Sequence, residues 1–406
     1  MKMKMPCSGQ WRWVVRRWLE VVLVAGVAAT LLRAGMSRAH LQADAVLTIT
    51  NGGTYSGNWT SHDANVPVIV IATAEPVVIE NSILTGPGNL IETGVDHVNV
   101  TVRNCRGTGV NPNVVGKAVG RFLKAENFDS IVIQNNQLEQ TAGIYLLTYL
   151  GDPNAGPTVQ VVGNVVHNID GRHSNGAGGY QADHDLVQFV QLDQVQHVPN
   201  IEIAWNQVTN DPGNSAVEDN ISIYKSSGTK NSPIRIHDNL IEGAYPPDPL
   251  SADYSGGGVM LGDGNPDTPE TGSGYVVAFN NQVINTTNYG MAIASGTHCS
   301  MHHNRIISTG TLSDGTPLPA QNVGAYVWDS NGKRAKIPKG FTANGGYANR
   351  IGWTKGGKRN DWWVPNAASW KDNIHWPGHI TSETIAGEHD FWNKKLAKEH
   401  VTVGPG

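Results

Sequence analysis

One pattern recurs along the chain: apolar-x-apolar-x-x-Asn-x-apolar. It runs over Ile131–Leu138, Val159–Val166, Ile201–Val208, Ile234–Ile241, Val276–Val283 and Cys299–Ile306, with Asn136, Asn164, Asn206, Asn239, Asn281 and Asn304 at the sixth position. A form one residue shorter begins at Val77 and Val100 and ends on Asn81 and Asn104. The eight asparagines are 23, 32, 28, 42, 33, 42 and 23 residues apart. A fixed motif returning at intervals of this size is the mark of stacked structural repeats.

Alternating apolar positions turn one face of a short strand inward. Asn tolerates left-handed backbone angles better than any residue but Gly, so each Asn is expected to mark a tight turn. Stacked at ~4.8 Å, such strands bury a continuous column and bring successive Asn side chains within hydrogen-bonding reach. The pattern predicts an all-β chain built as a parallel β-helix. A β-sandwich would need hairpin turns every ~8–12 residues and has no use for a constant Asn. A second strand per repeat is expected after Gly143 and around Val187, Ile221, Val259, Met291 and Ala325. Alignment on apolar residues puts Val187, Ile221, Val259 and Met291 in one column.

Ahead of the repeats, Lys2, Lys4, Arg12, Arg16 and Arg17 precede an apolar run from Val21 to Leu32. That run is shorter than the ~20 residues that cross a bilayer, but it suits an export signal. Small residues place the cut after Ala39, or as late as Ala45; Arg16 and Arg17 also resemble a twin-arginine signal. An uncut anchor is the alternative. Export predicts a secreted or periplasmic protein with no lasting membrane anchor. The leader holds seven of the 29 basic residues and one of the 34 acidic ones, so the rest is about eleven charges net negative. That balance argues against nucleic acid or an anionic membrane surface as partner. Cys105 and Cys299, some six repeats apart, are too few for a disulfide scaffold and are expected to stay unbonded. The repeats are expected over 46–310, with residues 45–60 covering the first end. Residues 311–406 read as a loop-rich, Trp-rich cover, with a helix over Thr384–Glu399 capping the other end.

Over about residues 70–330 this repeat form resembles the pectate-lyase-like right-handed parallel β-helix superfamily. Its members are mostly extracellular carbohydrate-active enzymes, with tailspikes and adhesins as non-enzymatic relatives. The resemblance implies a polysaccharide as partner.

With Val187 over Ile221, Asp185 stacks on Asp219, His184 on Glu218, and Gln191 on Lys225 and then Asp263. Asp183, His184, Asp185, Glu218 and Asp219 then crowd one strand end, with Lys225 and Asp263 at the other and Gln188, Ser222 and Tyr224 outward between them. Carboxylates stacked at ~5 Å repel, so one must keep a proton or a cation such as Ca²⁺ must sit between Asp185 and Asp219. A neutral acid beside a carboxylate is the pair that hydrolyses glycosidic bonds. Ca²⁺ on a uronate, with Lys225 or Tyr224 taking a carbon-bound proton, is a β-elimination lyase. The sequence requires no other cofactor.

The segments Ala182–Asp185, Glu218–Ile223 and Gly256–Leu261 partly resemble three successive polygalacturonase motifs, which implies carboxylate roles for Asp185, Glu218 and Asp219. Gly257 stands where that family has His, and its Arg-Ile-Lys is missing. The expected catalytic residues are Asp185, Glu218, Asp219 and Lys225; Asp183, His184, Gln188, Ser222, Tyr224 and Asp263 are expected to touch substrate. Residues 171–181 and 244–257 are expected to wall the groove. The competing reading is a non-catalytic glycan-binding or surface-attachment protein, in which Asp183 and Asp219 are turn residues and Lys225 pairs with Asp263. His298, His302 and His303, Asp263–Glu270 as a Ca²⁺ loop, and His40 as a terminal copper ligand are lesser metal readings. The seven Trp after residue 320 read first as packing and second as platforms for sugar rings.

Overall fold

The computed structural model describes residues 45–154, 156, 158–337 and 339–406; the expected leader, its cleavage sites and His40 lie outside them. Among the described residues, short strands come in sets of three. Each strand pairs in parallel with its counterpart in the next set, which makes three ladders of eleven strands. The first ladder runs from Leu47–Ile49 through Ile144–Tyr149, Val190–Asp193, Asp219–Tyr224, Gly257–Asp263, Tyr289–Ile293 and Val323–Val327 to Trp362–Trp363. The second carries the Val and Ile of the repeat, from Gly53–Tyr55 to Ser369–Lys371. The third follows each Asn, from Asn58–Thr60 to Ile374–His375. One 12-residue strand, Leu123–Gln134, bends through both the first and second ladders and joins them into one sheet. The chain is all-β with long parallel sheets, as the alternation predicts.

The core is what the repeat dictates. Ile131, Ile133, Val159, Val161, Ile201, Ile203, Ile234 and Ile236 are all buried in a single apolar cluster with their counterparts in the other ladders. Burial of each such side chain is worth ~1.5–3 kcal/mol. Cys105 and Cys299 are buried in the same cluster and unbonded, as expected.

The Asn column is real, but its cause differs from the expected one. The left-handed residue at each corner is the one before the anchor: Asn135, Gly163, Trp205, Asp238, Asn280 and His303. The anchors are buried and tie repeat to repeat. Asn164 Oδ1 accepts from the Asn136 backbone N–H at 2.9 Å and from its side chain at 3.0 Å, and the same exchange links each anchor to the next. Asn81 and Asn104 are left-handed corner residues themselves, so Ser82 and Cys105 occupy the anchor position there.

Three boundaries shift. Residues 45–60 supply the first strand of every ladder instead of a cover. The repeat continues past 310: Asn349 and Asn373 extend the Asn column, and strands continue to His375. The helix Ser382–Glu399 lies on the flank of the third ladder, not across its end. There Trp392 and Ile380 pack on Leu240, Ile284 and Ile307. Thr381 caps its N-terminus by accepting from the Thr384 N–H, and His400 ends it in the left-handed region. No helix among the described residues is long and apolar enough to cross a membrane.

Candidate functional site

The register of the first ladder decides which side chains meet. Val190, not Val187, pairs with Ile221. Residues 186–192 offer apolar side chains in both phases, and Phe189 and Val187 are buried ahead of the strand, so alignment on apolar residues alone picks the wrong one. The correct register stacks Gln191 on Ser222 and Asp193 on Tyr224. The columns Ile221–Val259–Met291–Ala325 are as expected.

The expected Asp185–Asp219 stack is therefore lost, and with it the pair that would share a proton or bridge Ca²⁺. Asp185 sits at the base of an antiparallel hairpin, Arg172–Ser174 against Tyr180–His184. Its N–H donates to Gly171 O at 2.8 Å, and its carboxylate meets His173 Nε2 at 2.9 Å. Asp183 is exposed on the hairpin, 3.6 Å from His173 Nδ1. His184 does not reach Glu218 as expected; it pairs back to Arg172. No group of three or more His, Cys, Asp or Glu among the described residues is arranged to hold a metal ion.

Lys225 also leaves the site. An irregularity between Ser222 and Tyr224 puts Tyr224, not Lys225, opposite Asp263. Lys225 occupies a left-handed corner with its Nζ 5.6 Å from the Tyr224 ring centre, and no ion pair joins it to Asp263 among the described residues. Only its backbone N–H reaches Asp263, at the carbonyl.

Asp263, expected with Lys225 at the far strand end, is instead near enough to Glu218 and Asp219 for its charge to raise both. Glu218 donates its backbone N–H to Val187 O at 3.0 Å, and its carboxylate accepts from Gln188 Nε2 at 2.5 Å. Asp219 lies opposite Gly257, which lies opposite Tyr289. The Tyr289 hydroxyl donates to Asp219 Oδ1 through the space a side chain at 257 would fill; a Cβ there would strike both groups. Asn220 turns the other way and donates to Gly243 O and Gly257 O. Asp219 is thereby held 5% exposed, behind the partly exposed Glu218 and Asp263.

The electrostatics follow from burial. Asp219 is held well above the usual carboxylate range, first by burial and then by the charge of Glu218, against the opposing bond from Tyr289. Glu218 is raised by burial and by Asp263, while Gln188 and Arg121 pull it down. Burial raises Asp263, and the Gly264 N–H resists. The charge of Asp263 thus reaches both other acids, and the innermost, Asp219, is raised furthest.

Two members of the site were not foreseen. Tyr289 is two ladder steps from Asp219, and only the register relates them. Arg121 donates to Ala142 O at 2.7 Å and lies 5.5 Å from the Tyr145 ring centre, within reach of the charges of Asp185 and Glu218. Burial pushes its guanidinium down to about 10. It opens onto a cleft of about 730 Å³ lined by Asn65, Asn89, Lys117, Arg121 and Asp185. Nothing in the sequence around Gly120 marks it.

Beside the acids runs one outward column, Tyr145–Gln191–Ser222–Met260–Ala292–Tyr326–Trp363. Tyr224 is half-buried, but Ser222 and Gln188, expected to touch substrate, are buried, and Gln188 is taken up by Glu218. The hairpin of residues 172–184 and the segment 244–257, which carries exposed Tyr254, lie on strands' connections either side of Glu218. Compared with known proteins, the chain matches no family model, no curated protein and no solved structure, so the functional reading rests on this geometry.

Proposed function

We propose that the three ladders wind as a right-handed parallel β-helix of the pectate-lyase-like kind, and that the protein is an exported enzyme that hydrolyses a polysaccharide. The observation that carries this reading is the grouping of three acids on one face: Glu218 held by Gln188, Asp219 buried beneath Tyr289, and Asp263 close enough for its charge to raise both. Burial and the charge of Asp263 both raise Glu218, whereas Asp263 is raised by burial alone and lowered by the Gly264 N–H, so we assign Glu218 as the acid and Asp263 as the base. Glu218 gives its proton to the glycosidic oxygen as the bond to the anomeric carbon breaks. Asp263 takes a proton from a water whose oxygen forms the new bond to that carbon. Asp219, raised the furthest of the three and held by Tyr289, resists placing a second negative charge beside Glu218. Hydrolysis is favoured over β-elimination because Lys225, one expected base, is turned onto Tyr224, and burial and Asp263 raise the phenol of Tyr224, the other. No calcium step enters, since Asp185 and Asp219 do not converge.

A panel of polysaccharides tests the proposal. New reducing ends without an ultraviolet-absorbing unsaturated product are expected, and Glu218→Gln and Asp263→Asn should each lose roughly 10²–10⁴-fold in kcat. Lys225→Met should keep near-normal rates. An unsaturated product would make the enzyme a lyase; binding without turnover would make it a glycan-binding protein.

A further inference from the structure

The outward column beside the acids does not stop at them. From Ser222 it continues through Met260, Ala292 and Tyr326 to Trp363, each in register with the one before. Met260, Ala292 and Tyr326 pack with Tyr289, Ala294 and Val323 into a small apolar cluster of their own, separate from the core. Met260 and Ala292 are buried and Tyr326 half-buried, so the column brings no charge between the carboxylates and its far end. At its far end it rises into two indoles. Trp363 is 49% exposed and Trp328 36%, with ring centres 5.4 Å apart and planes tilted by 44°.

Packing does not account for this pair. The neighbouring Trp362 faces inward against the core and stacks on His375, and Trp353 is fully buried. Trp328 and Trp363 contribute to neither core cluster. Two large aromatic side chains left in water at a strand edge are costly unless something covers them. Four ladder steps of about 4.8 Å put Trp363 roughly 19 Å from Ser222 along the long axis.

We propose that Trp328 and Trp363 form a remote sugar-stacking subsite, so that a linear polysaccharide lies along the first ladder with one ring on the indoles and the bond to be cut at Glu218 and Asp263. The inference rests on the proposed hydrolase for the direction of the chain, and on the two Trp alone for the binding. The apolar faces of pyranose rings meet the indole faces, while their hydroxyl groups stay in water. The intervening Met260, Ala292 and Tyr326 carry no charge, so the length dependence is expected to come from stacking on the indoles and not from sugar charge.

The test is binding by calorimetry of cello-, xylo-, manno- and galacturono-oligosaccharides, from dimer to octamer, to the full-length protein. For the series that binds, the longest members should bind about tenfold more tightly than the shortest. Trp363→Ala and Trp328→Ala should each remove that length dependence without changing dimer affinity, and Trp363→Phe should restore part of it. Unchanged melting temperatures would show that the exposed substitutions leave the fold intact. If both alanine variants keep the wild-type length dependence, or no oligosaccharide of any series binds, the subsite does not exist. Length-dependent binding without turnover would sink the hydrolase and leave the subsite standing; turnover without length dependence would do the reverse.

Discussion

The Tyr289 hydroxyl bonds the Asp219 carboxylate across the bare Cα of Gly257, so two residues 70 positions apart close over a third that has no side chain. The bond favours the ionised form of Asp219, yet burial outweighs it and holds the acid well above the usual carboxylate range. A carboxyl raised in the fold makes stability depend on pH. That dependence can be measured.

Asp219→Asn should stabilise the fold as pH rises. The folded-state value of Asp219 lies well above its ordinary 3.8. Below 3.8 both folded and unfolded chains hold the proton, and the group adds no pH dependence. Above it the unfolded chain releases the proton first, so stability falls until the pH passes the folded value. Asn keeps the shape and the acceptor for Tyr289 and lacks this penalty. Urea unfolding at about pH 5 and pH 8 should show the advantage of the variant growing with pH. A difference that is flat across that range would mean Asp219 is ionised in the fold.

Gly257→Ala should damage both stability and the acids. Its Cβ would meet Asp219 Oδ1 and the Tyr289 ring, and overpacking of this kind costs ~1–3 kcal/mol. Tyr289→Phe removes the bond but adds no atom. If the glycine is there for space, Gly257→Ala should shift the unfolding midpoint further than Tyr289→Phe does; equal shifts would show that the bond alone matters.

The repeat was legible because two forces write it into the sequence at once: alternation for the core and an amide for the column. Where either lapses, the sequence falls silent. Asn349 follows Asn344 and Gly346 at the two positions where earlier repeats have apolar residues, so no apolar pair announces it, though it bonds to Asn304 and Asn373 like any other anchor. Asn81 and Asn104 pass for anchors because a corner residue and an anchor can both be Asn, and only the backbone angle separates them. The carboxylates Glu218, Asp219 and Asp263 were all named from the sequence as acids at strand ends, but the irregularity between Ser222 and Tyr224 hid how Asp263 relates to the other two. Asp185 and Lys225 were misplaced by shifts of three residues and one residue. Such shifts change no composition or periodicity, only which side chains meet.

Asn206→Ala tests the column. Asn206 donates to Val161 O at 2.8 Å and to Asn239 at 2.9 Å, and accepts twice from Asn164. Truncation strands the Asn164 N–H groups and the Val161 carbonyl in a place sealed from water, at ~1–3 kcal/mol for each group left bare. Asn206→Ser should recover little, because its hydroxyl is too short to span the rungs. Chemical denaturation should show a loss of several kcal/mol for both. A loss under about 1 kcal/mol would mean that water or backbone shifts replace the amide.

The last prediction concerns the helix on the flank. Glu388 is 2% exposed and takes both Nε and Nη2 of Arg305, with Gln282 Nε2 at 2.9 Å. Arg305 is itself held between Trp376 and Phe391, with ring centres at 4.8 and 4.5 Å. Arg305→Met keeps the apolar contact with both rings but leaves the Glu388 charge buried with one amide for company, a loss of ~3–5 kcal/mol. Lys395 to Asp238, His389 to Glu242 and Trp392 to Gln207 still hold the helix, so release should be local and not global. Hydrogen exchange should therefore speed up over 382–399 in Arg305→Met while the strands of the first ladder keep their protection. Arg305→Met with Glu388→Leu removes the stranded charge and should bring protection back. If the double variant exchanges as fast as the single one, the ion pair holds the helix by attraction and not by satisfying a buried acid. If the first ladder loosens along with the helix, the flank and the carboxylate face form one cooperative unit.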